Sequence, residues 1–131
     1  MTGDAASNWR LAKAERFLQA ASRAFEADDF ETAVSRAYYA AYHSVIAVLE
    51  SRAGVSRRRW DHSQLQAAFR REFGAKGFLF SIRDSGDFDK LYEDRLIADY
   101  ERLEFRRAAA ANALTIARGL TARIRRSVDD R

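Results

Sequence analysis

Apolar residues recur along the first half of this chain at the three-to-four-residue spacing of helices. One helix is predicted from about Asn8 to Ala27, with an apolar face made of Leu11, Ala14, Phe17, Leu18, Ala21 and Phe25. A second is predicted from about Phe30 to Arg52, because two acidic residues can cap its start and Gly54 can stop it. Its apolar stripe consists of Phe30, Val34, Ala37, Tyr38, Ala41, Val45 and Val48.

The second half of the chain predicts three further helices. Ser63 and Gln66 have the spacing of a capping box, which would open a short helix that ends at Gly74. Residues 75–86 are expected to be irregular and to lie against the core through Phe78, Leu79, Phe80 and Ile82. A fourth helix is predicted over about 87–100. A fifth is predicted over about 101–128, burying Phe105, Ala109, Ala113, Ile116, Leu120 and Ile124.

No segment has the alternation of a strand, and the chain has no proline. The pattern therefore predicts an all-α fold, a single-domain up-and-down bundle of about five helices. Its 131 residues are too few for two ordinary cores, so we expect one domain over 1–131, ordered over about 8–127.

Composition removes several classes of chemistry. The chain has no cysteine, which excludes disulfides and cysteine-bound zinc or iron–sulfur centres. With only two histidines, a metal site would have to use carboxylates alone, and we expect neither a metal nor another cofactor. The N-terminus has no basic region followed by an apolar run, and no apolar segment is long enough for a membrane span. We therefore expect a cytoplasmic protein with no membrane partner.

The net charge of +4 hides a strong segregation along the chain. Residues 52–71 contain six arginines and one acid, residues 84–104 contain eight acids and three bases, and residues 106–126 contain no acid. These segments could pair within one chain or between two copies. Ala33, Ala40 and Ala47, at heptad spacing, also suggest the close approach of another helix, so a homodimer is predicted.

Two stretches carry a family resemblance. Residues 28–43, with the sequence DDFETAVSRAYYAAYH, and residues 95–100, RLIADY, resemble the HEPN domain, and the likeness extends over about 8–127. The resemblance implies a helical bundle that usually forms a homodimer. It also implies a gene often placed beside a small nucleotidyltransferase in toxin–antitoxin or phage-defence modules. RNA, a nucleotide or that nucleotidyltransferase are the partners it implies.

Many HEPN proteins are metal-independent ribonucleases in which an arginine is followed, after four to six residues, by a histidine. Arg95 lies in the corresponding region, but the matching positions hold Tyr100, Glu101 and Arg102. Tyrosine with an ordinary pKa is a poor base at neutral pH, so the missing histidine argues against this activity. Arg95 has a structural interpretation as well, an interior ion pair with Asp99 one helical turn later, and this interpretation is favoured.

A second arginine–histidine pair lies on the second predicted helix. Arg36 and His43 are seven positions apart, which places both side chains on one helical face. They are candidates for a catalytic pair, in which arginine neutralises a phosphate and histidine moves a proton. Any RNA cleavage should therefore depend on His43 and not on His62, which we expect to face solvent beside a helix cap. The alternative for Arg36 and His43 is a structural role in buried polar contacts or a dimer seam.

The loop before the third predicted helix combines charge with an aromatic ring. Arg57, Arg58, Arg59 and Trp60 are candidate nucleic-acid-binding residues, because the arginines attract phosphate and the tryptophan can stack on a base. The alternative is a solvated loop whose tryptophan anchors it to the core.

Three functions remain open at this point. The leading one is a HEPN-like helical protein of a toxin–antitoxin or defence module that binds nucleotide, RNA or a nucleotidyltransferase partner, with no catalysis assigned to it. The others are a metal-independent endoribonuclease acting as a dimer and a pure protein-interaction bundle.

Overall fold

A computed structural model describes residues 2–74, 80–101 and 104–129, with the side chains of 2–7 and 82 excepted. All regular structure in these ranges is helical, which confirms the all-α fold. The elements are α1 (Thr2–Glu26), α2 (Phe30–Arg52), α3 (His62–Phe69), a π-helical turn (Arg70–Gly74), α4 (Ile82–Tyr100) and α5 (Arg107–Asp129). Within the described ranges, no helix has the length and apolar character that crossing a bilayer requires.

Helix α2 is the centre of the bundle and packs against the other four helices. Its predicted bounds are confirmed, because the residues that start and end this helix are its neighbours in the chain. The Asp29 side chain accepts the Thr32 backbone N–H, and Gly54 follows the helix with a φ of +66°. Ala33, Ala40 and Ala47 are fully buried within the chain itself. The close helices that their spacing predicts therefore belong to the same molecule, and these alanines do not form a dimer seam.

Helices α1 and α2 form an antiparallel hairpin joined by residues 27–29 alone. Asp28 takes the left-handed conformation, with a φ of 59°, and lets the chain reverse in this short space. The Asp29 backbone N–H donates to the Ala24 carbonyl at 2.8 Å and closes the end of α1. The hairpin thus fixes α1 along the side of α2.

The start of α3 differs from the prediction. Asp61, not Ser63, is the N-cap: its carboxylate accepts the Gln64 N–H at 2.8 Å, while the Gln64 side chain accepts the Asp61 N–H at 3.1 Å. Gln66 is instead buried and donates to the Ser85 carbonyl. Aspartate accepts these bonds as well as serine does, so the same capping pattern also fits two positions earlier.

The boundaries of α4 and α5 also correct the sequence analysis. Ser81 caps α4 through a capping box with Asp84, so residues 82–86 are helical and not irregular. Residues 75–79, with Phe78 and Leu79, lie outside the described residues, whereas Phe80 is buried as expected. Helix α4 ends at Tyr100 and α5 begins only at Arg107. Ala109 is exposed, because the buried face of α5 starts one residue later, at Ala110.

Candidate functional site

The last turns of α4 bring Arg95 against α2. Its Nη2 donates to the Tyr39 hydroxyl at 2.8 Å, and its Nε lies 3.0 Å from Asp99 Oδ2. The guanidinium carbon also lies 5.3 Å from the centre of the Tyr39 ring and 5.8 Å from that of the Tyr100 ring. Arg95 is therefore held in one orientation by an ion pair, a hydroxyl and aromatic faces.

The ion pair of Arg95 and Asp99 is half-buried. The side chains are 18% and 29% exposed, so the structure brings the two residues together, but not in a fully interior pair. Beside them, α2 and α4 enclose a polar cleft of about 410 Å³, which we call the α2–α4 cleft. Its lining residues are Glu31, Thr32, Ser35, Arg36, Tyr39, Ala98 and Asp99.

The two acids of this cleft have partners of their own. Glu31 accepts the Phe105 backbone N–H at 3.0 Å, and Asp99 pairs with Arg95. Arg36, by contrast, has no carboxylate partner among the described residues. The α2–α4 cleft is therefore lined by one uncommitted cation, Arg36, and lies beside the Arg95 guanidinium, which Tyr39 and Asp99 hold in place.

His43 lies further along the same face of α2, where α1 covers it through Phe17. Its Nδ1 accepts a hydrogen bond from Arg10 Nη1 at 3.1 Å, and its ring stacks on Phe17, with centres 5.5 Å apart. Burial, together with the charges of Arg10 and Lys13, lowers the pKa of His43 to about 4. The imidazole is therefore neutral at pH 7. Because arginine can only donate, the His43 proton resides on Nε2.

Arg36 and His43 are not in contact within the described residues. Phe17 covers one face of the His43 ring and also lines the cleft on which Arg36 lies. His43 thus makes buried polar contacts, which is the structural role considered as the alternative to catalysis. The seven-residue spacing could not show that α1 covers the His43 ring.

His62 is not solvent-facing, in contrast to the sequence expectation. Its side chain is only 8% exposed, and its Nε2 donates to Asp89 Oδ1 at 2.9 Å. The Tyr38 hydroxyl lies 3.1 Å from Nδ1, and the ring stacks on Tyr92 with centres 3.8 Å apart. The four residues form a partly buried polar cluster, the His62 cluster, which joins α2, α3 and α4. Sequence analysis missed it because its members are far apart in the chain.

The loop before α3 separates its two kinds of residue. Arg57, Arg58 and Arg59 are exposed, but Trp60 is buried, and its carbonyl accepts the Tyr42 hydroxyl at 2.9 Å. Arg57 covers the Trp60 ring at 5.4 Å. Trp60 therefore anchors the loop to the core and is not available to stack on a base, which corrects that part of the sequence hypothesis.

Comparison with known proteins gives one family. The HEPN domain family matches residues 7–127, which is nearly the whole chain. No curated protein matches the sequence of this chain. Within the described residues, no group of three or more histidine, aspartate or glutamate side chains is arranged to hold a metal ion.

Proposed function

We propose that this chain, which belongs to the HEPN family, binds a nucleotide or RNA at the α2–α4 cleft without cleaving it. The observation that carries the proposal is the pairing of Arg95 with Tyr100, a residue that is 74% exposed and whose ring centre lies 5.8 Å from the guanidinium carbon. Such a ring offers a face on which a base can stack, while the guanidinium is positioned for a phosphate.

The charges around the cleft support a phosphate ligand. The ion pair with Asp99 and the hydrogen bond to Tyr39 already hold the Arg95 guanidinium, so it needs little further ordering when it meets an anion. Arg36 adds a second cation with no carboxylate partner in the described part of the chain. A phosphate between the two arginines would gain charge-assisted hydrogen bonds from both.

The positions of both histidines support binding without cleavage. Cleavage of RNA without a metal needs a proton carrier within reach of the same phosphate as the arginine. His43 is neutral, stacked on Phe17 and bonded to Arg10, and His62 is enclosed between Asp89, Tyr38 and Tyr92. Neither imidazole lines the α2–α4 cleft.

The test is fluorescence anisotropy with a labelled oligonucleotide in EDTA at low salt, with the RNA checked for integrity on a gel. Arg36→Ala and Tyr100→Ala should each weaken binding roughly tenfold, the scale of one stacking or phosphate contact. Arg71→Ala is the matched control. Arg71 belongs to the π-helical turn, which contacts α4 near Ser85. Ser85 lies about 20 Å along α4 from Tyr100, so Arg71 is far from the proposed site.

The outcomes separate the open functions. Wild-type protein that binds neither RNA nor mononucleotide overturns the proposal and favours a protein-interaction role. Fragmented RNA in EDTA also overturns it and favours the ribonuclease alternative.

A homodimer and a nucleotidyltransferase partner belong to the same proposal and come from the family resemblance. Light scattering at tens of micromolar tests the first, and a strict monomer would contradict it. Co-purification with a nucleotidyltransferase encoded beside this chain tests the second.

A further inference from the structure

A second basic cleft lies between α1 and α2. It has a volume of about 200 Å³ and is lined by Lys13, Arg16, Phe17, Ala20 and Arg36. Three of these five side chains are cationic and none is acidic. In the described residues, none of the three cations forms an ion pair. Like charges that converge without a counter-ion repel one another, so an anion placed among them is stabilised.

An exposed aromatic ring lies against Lys13, one of the residues that line this cleft. Trp9 is 52% exposed, with Arg10 at 4.6 Å and Lys13 at 5.3 Å from its ring centre. Among the described residues, Trp9 and Tyr100 are the large apolar side chains that are exposed to this extent. Both rings have cations against them, a combination typical of surfaces that bind bases and phosphates together.

Arg36 connects the two clefts. It lines the α2–α4 cleft with Tyr39 and Asp99, and it lines the second cleft with Lys13 and Arg16. From Arg16 the basic surface continues along α1 to Trp9, seven residues or about 10 Å away. Crossing from α1 over α2 to α4 adds roughly 8–10 Å for each pair of packed helices. The surface is therefore too long for a mononucleotide.

We propose that one strand of nucleic acid binds across α2, with bases stacked on Tyr100 and on Trp9 and with phosphates at Arg36, Arg16 and Lys13. This inference rests on the proposed function and names its substrate class, an extended single strand. Stacking on two exposed rings requires unpaired bases, which a duplex does not offer. An acidic peptide would satisfy the cations but would leave both rings unused.

The larger groove between α1 and α5, of about 770 Å³, differs in this respect. It also contains arginines, but Glu15 and Asp129 line it with them. Arg118 donates to Ser22, and Arg125 pairs with Glu15. Its cations are thus partly neutralised within the molecule, and no strongly exposed aromatic ring lines it.

The experiment compares a single-stranded oligonucleotide of about 12 residues with the mononucleotide UMP. Trp9→Ala and Arg16→Glu should each weaken binding of the 12-mer roughly tenfold and leave UMP binding at the α2–α4 cleft unchanged. Lys13→Ala should lower the slope of log affinity against log salt by about 0.7, the value for one phosphate contact on a single strand. Arg71→Glu is the control for charge reversal, and circular dichroism verifies the fold of each variant.

Each result bears on one of the two proposals. If Tyr100→Ala abolishes binding while Trp9→Ala and Arg16→Glu leave the 12-mer affinity intact, the strand does not reach α1. The single-strand inference then fails, and the proposed function stands. If UMP binding falls as far as 12-mer binding in these variants, the two subsites are not separate and the inference also fails.

Three further arms complete the design. Equal affinity for RNA and DNA 12-mers supports recognition by stacking and phosphate contacts alone, as proposed. A polyglutamate peptide that displaces the 12-mer as well as unlabelled RNA does overturns the inference in favour of an acidic protein partner. Wild-type protein that binds neither UMP nor the 12-mer overturns the proposed function itself.

Discussion

The surroundings of His43 and His62 differ in the charge of their hydrogen-bond partners. His43, between α1 and α2, accepts from the guanidinium of Arg10, whereas His62, between α2, α3 and α4, donates to the carboxylate of Asp89. A proton added to His43 would face a cation. The other ring nitrogen of His62 lies 3.1 Å from the Tyr38 hydroxyl, which can accept as well as donate. Two buried histidines of one helix bundle thus meet partners of opposite charge.

The largest effect is expected on the His62 side of this comparison. His62→Ala would leave a cavity against Tyr92 and would remove the partners of Asp89 and the Tyr38 hydroxyl. We expect the free energy of unfolding to fall by about 4 kcal/mol. Urea denaturation at pH 7 measures this, with exposed Ser63→Ala as the neutral control. A loss under about 1 kcal/mol would show that the cluster does not hold α3 in place.

The next effect concerns pH and His43. Because the pKa of His43 falls from 6.5 to about 4 on folding, the unfolded chain binds a proton between these values that the folded chain does not. Stability is therefore lost as the pH drops from 6.5 towards 4, by about 3 kcal/mol in all.

The acidic residues also titrate in this range, so the measurement is a difference. Urea denaturation at pH 7 and pH 4 is compared for the wild type and His43→Phe, which removes the titrating group and keeps an aromatic ring against Phe17. The variant should lose less stability on acidification. Identical losses in both proteins would show that His43 is not the group that resists protonation.

A smaller effect is expected when the carboxylate of the His62 cluster is neutralised. Asp89 is 40% exposed, and asparagine still offers an oxygen to His62 Nε2. Asp89→Asn should therefore cost about 1 kcal/mol in unfolding free energy, well below His62→Ala. Asp94→Asn, which removes an exposed pair with Lys90, is the matched control. A loss as large as that of His62→Ala would make the charge, and not the packing, the main stabilising element.

The smallest effect isolates the electrostatic contribution to His43. Lys13→Gln removes the cation with the smaller effect of the two that lower the pKa of His43. We expect that pKa to rise while the free energy of unfolding at pH 7 changes by less than about 0.5 kcal/mol. NMR titration of the imidazole protons follows the pKa directly. An unchanged value would assign the shift to burial and Arg10 alone.

The difference between local and distant interactions explains what the sequence could predict. Both ends of α2 depend on residues next to them in the chain, and the ion pair of Arg95 with Asp99 depends on a four-residue spacing. The start of α4 differs from the prediction because Ser81 and Asp84 form a capping box there, and Gly86 fits within the helix with open space around it.

The buried clusters could not be predicted in this way. His62 meets Asp89 across 27 residues and Tyr38 across 24, and His43 meets Arg10 across 33. Helical periodicity shows which face a side chain occupies but not which helix covers that face. The exposure of Trp9 and Tyr100 could not be predicted either, because aromatic residues are usually buried and the sequence does not show that no helix covers these two.

The three-residue connection between α1 and α2 has a kinetic consequence. Closing so short a loop costs little chain entropy, and the contacts of the hairpin are local in sequence, so it can form early in folding. Helix α5 must instead find α2 across a long intervening chain. Substitutions where α1 meets α2, such as at Phe17, should therefore slow folding, whereas those in α5, such as at Leu120, should mainly speed unfolding.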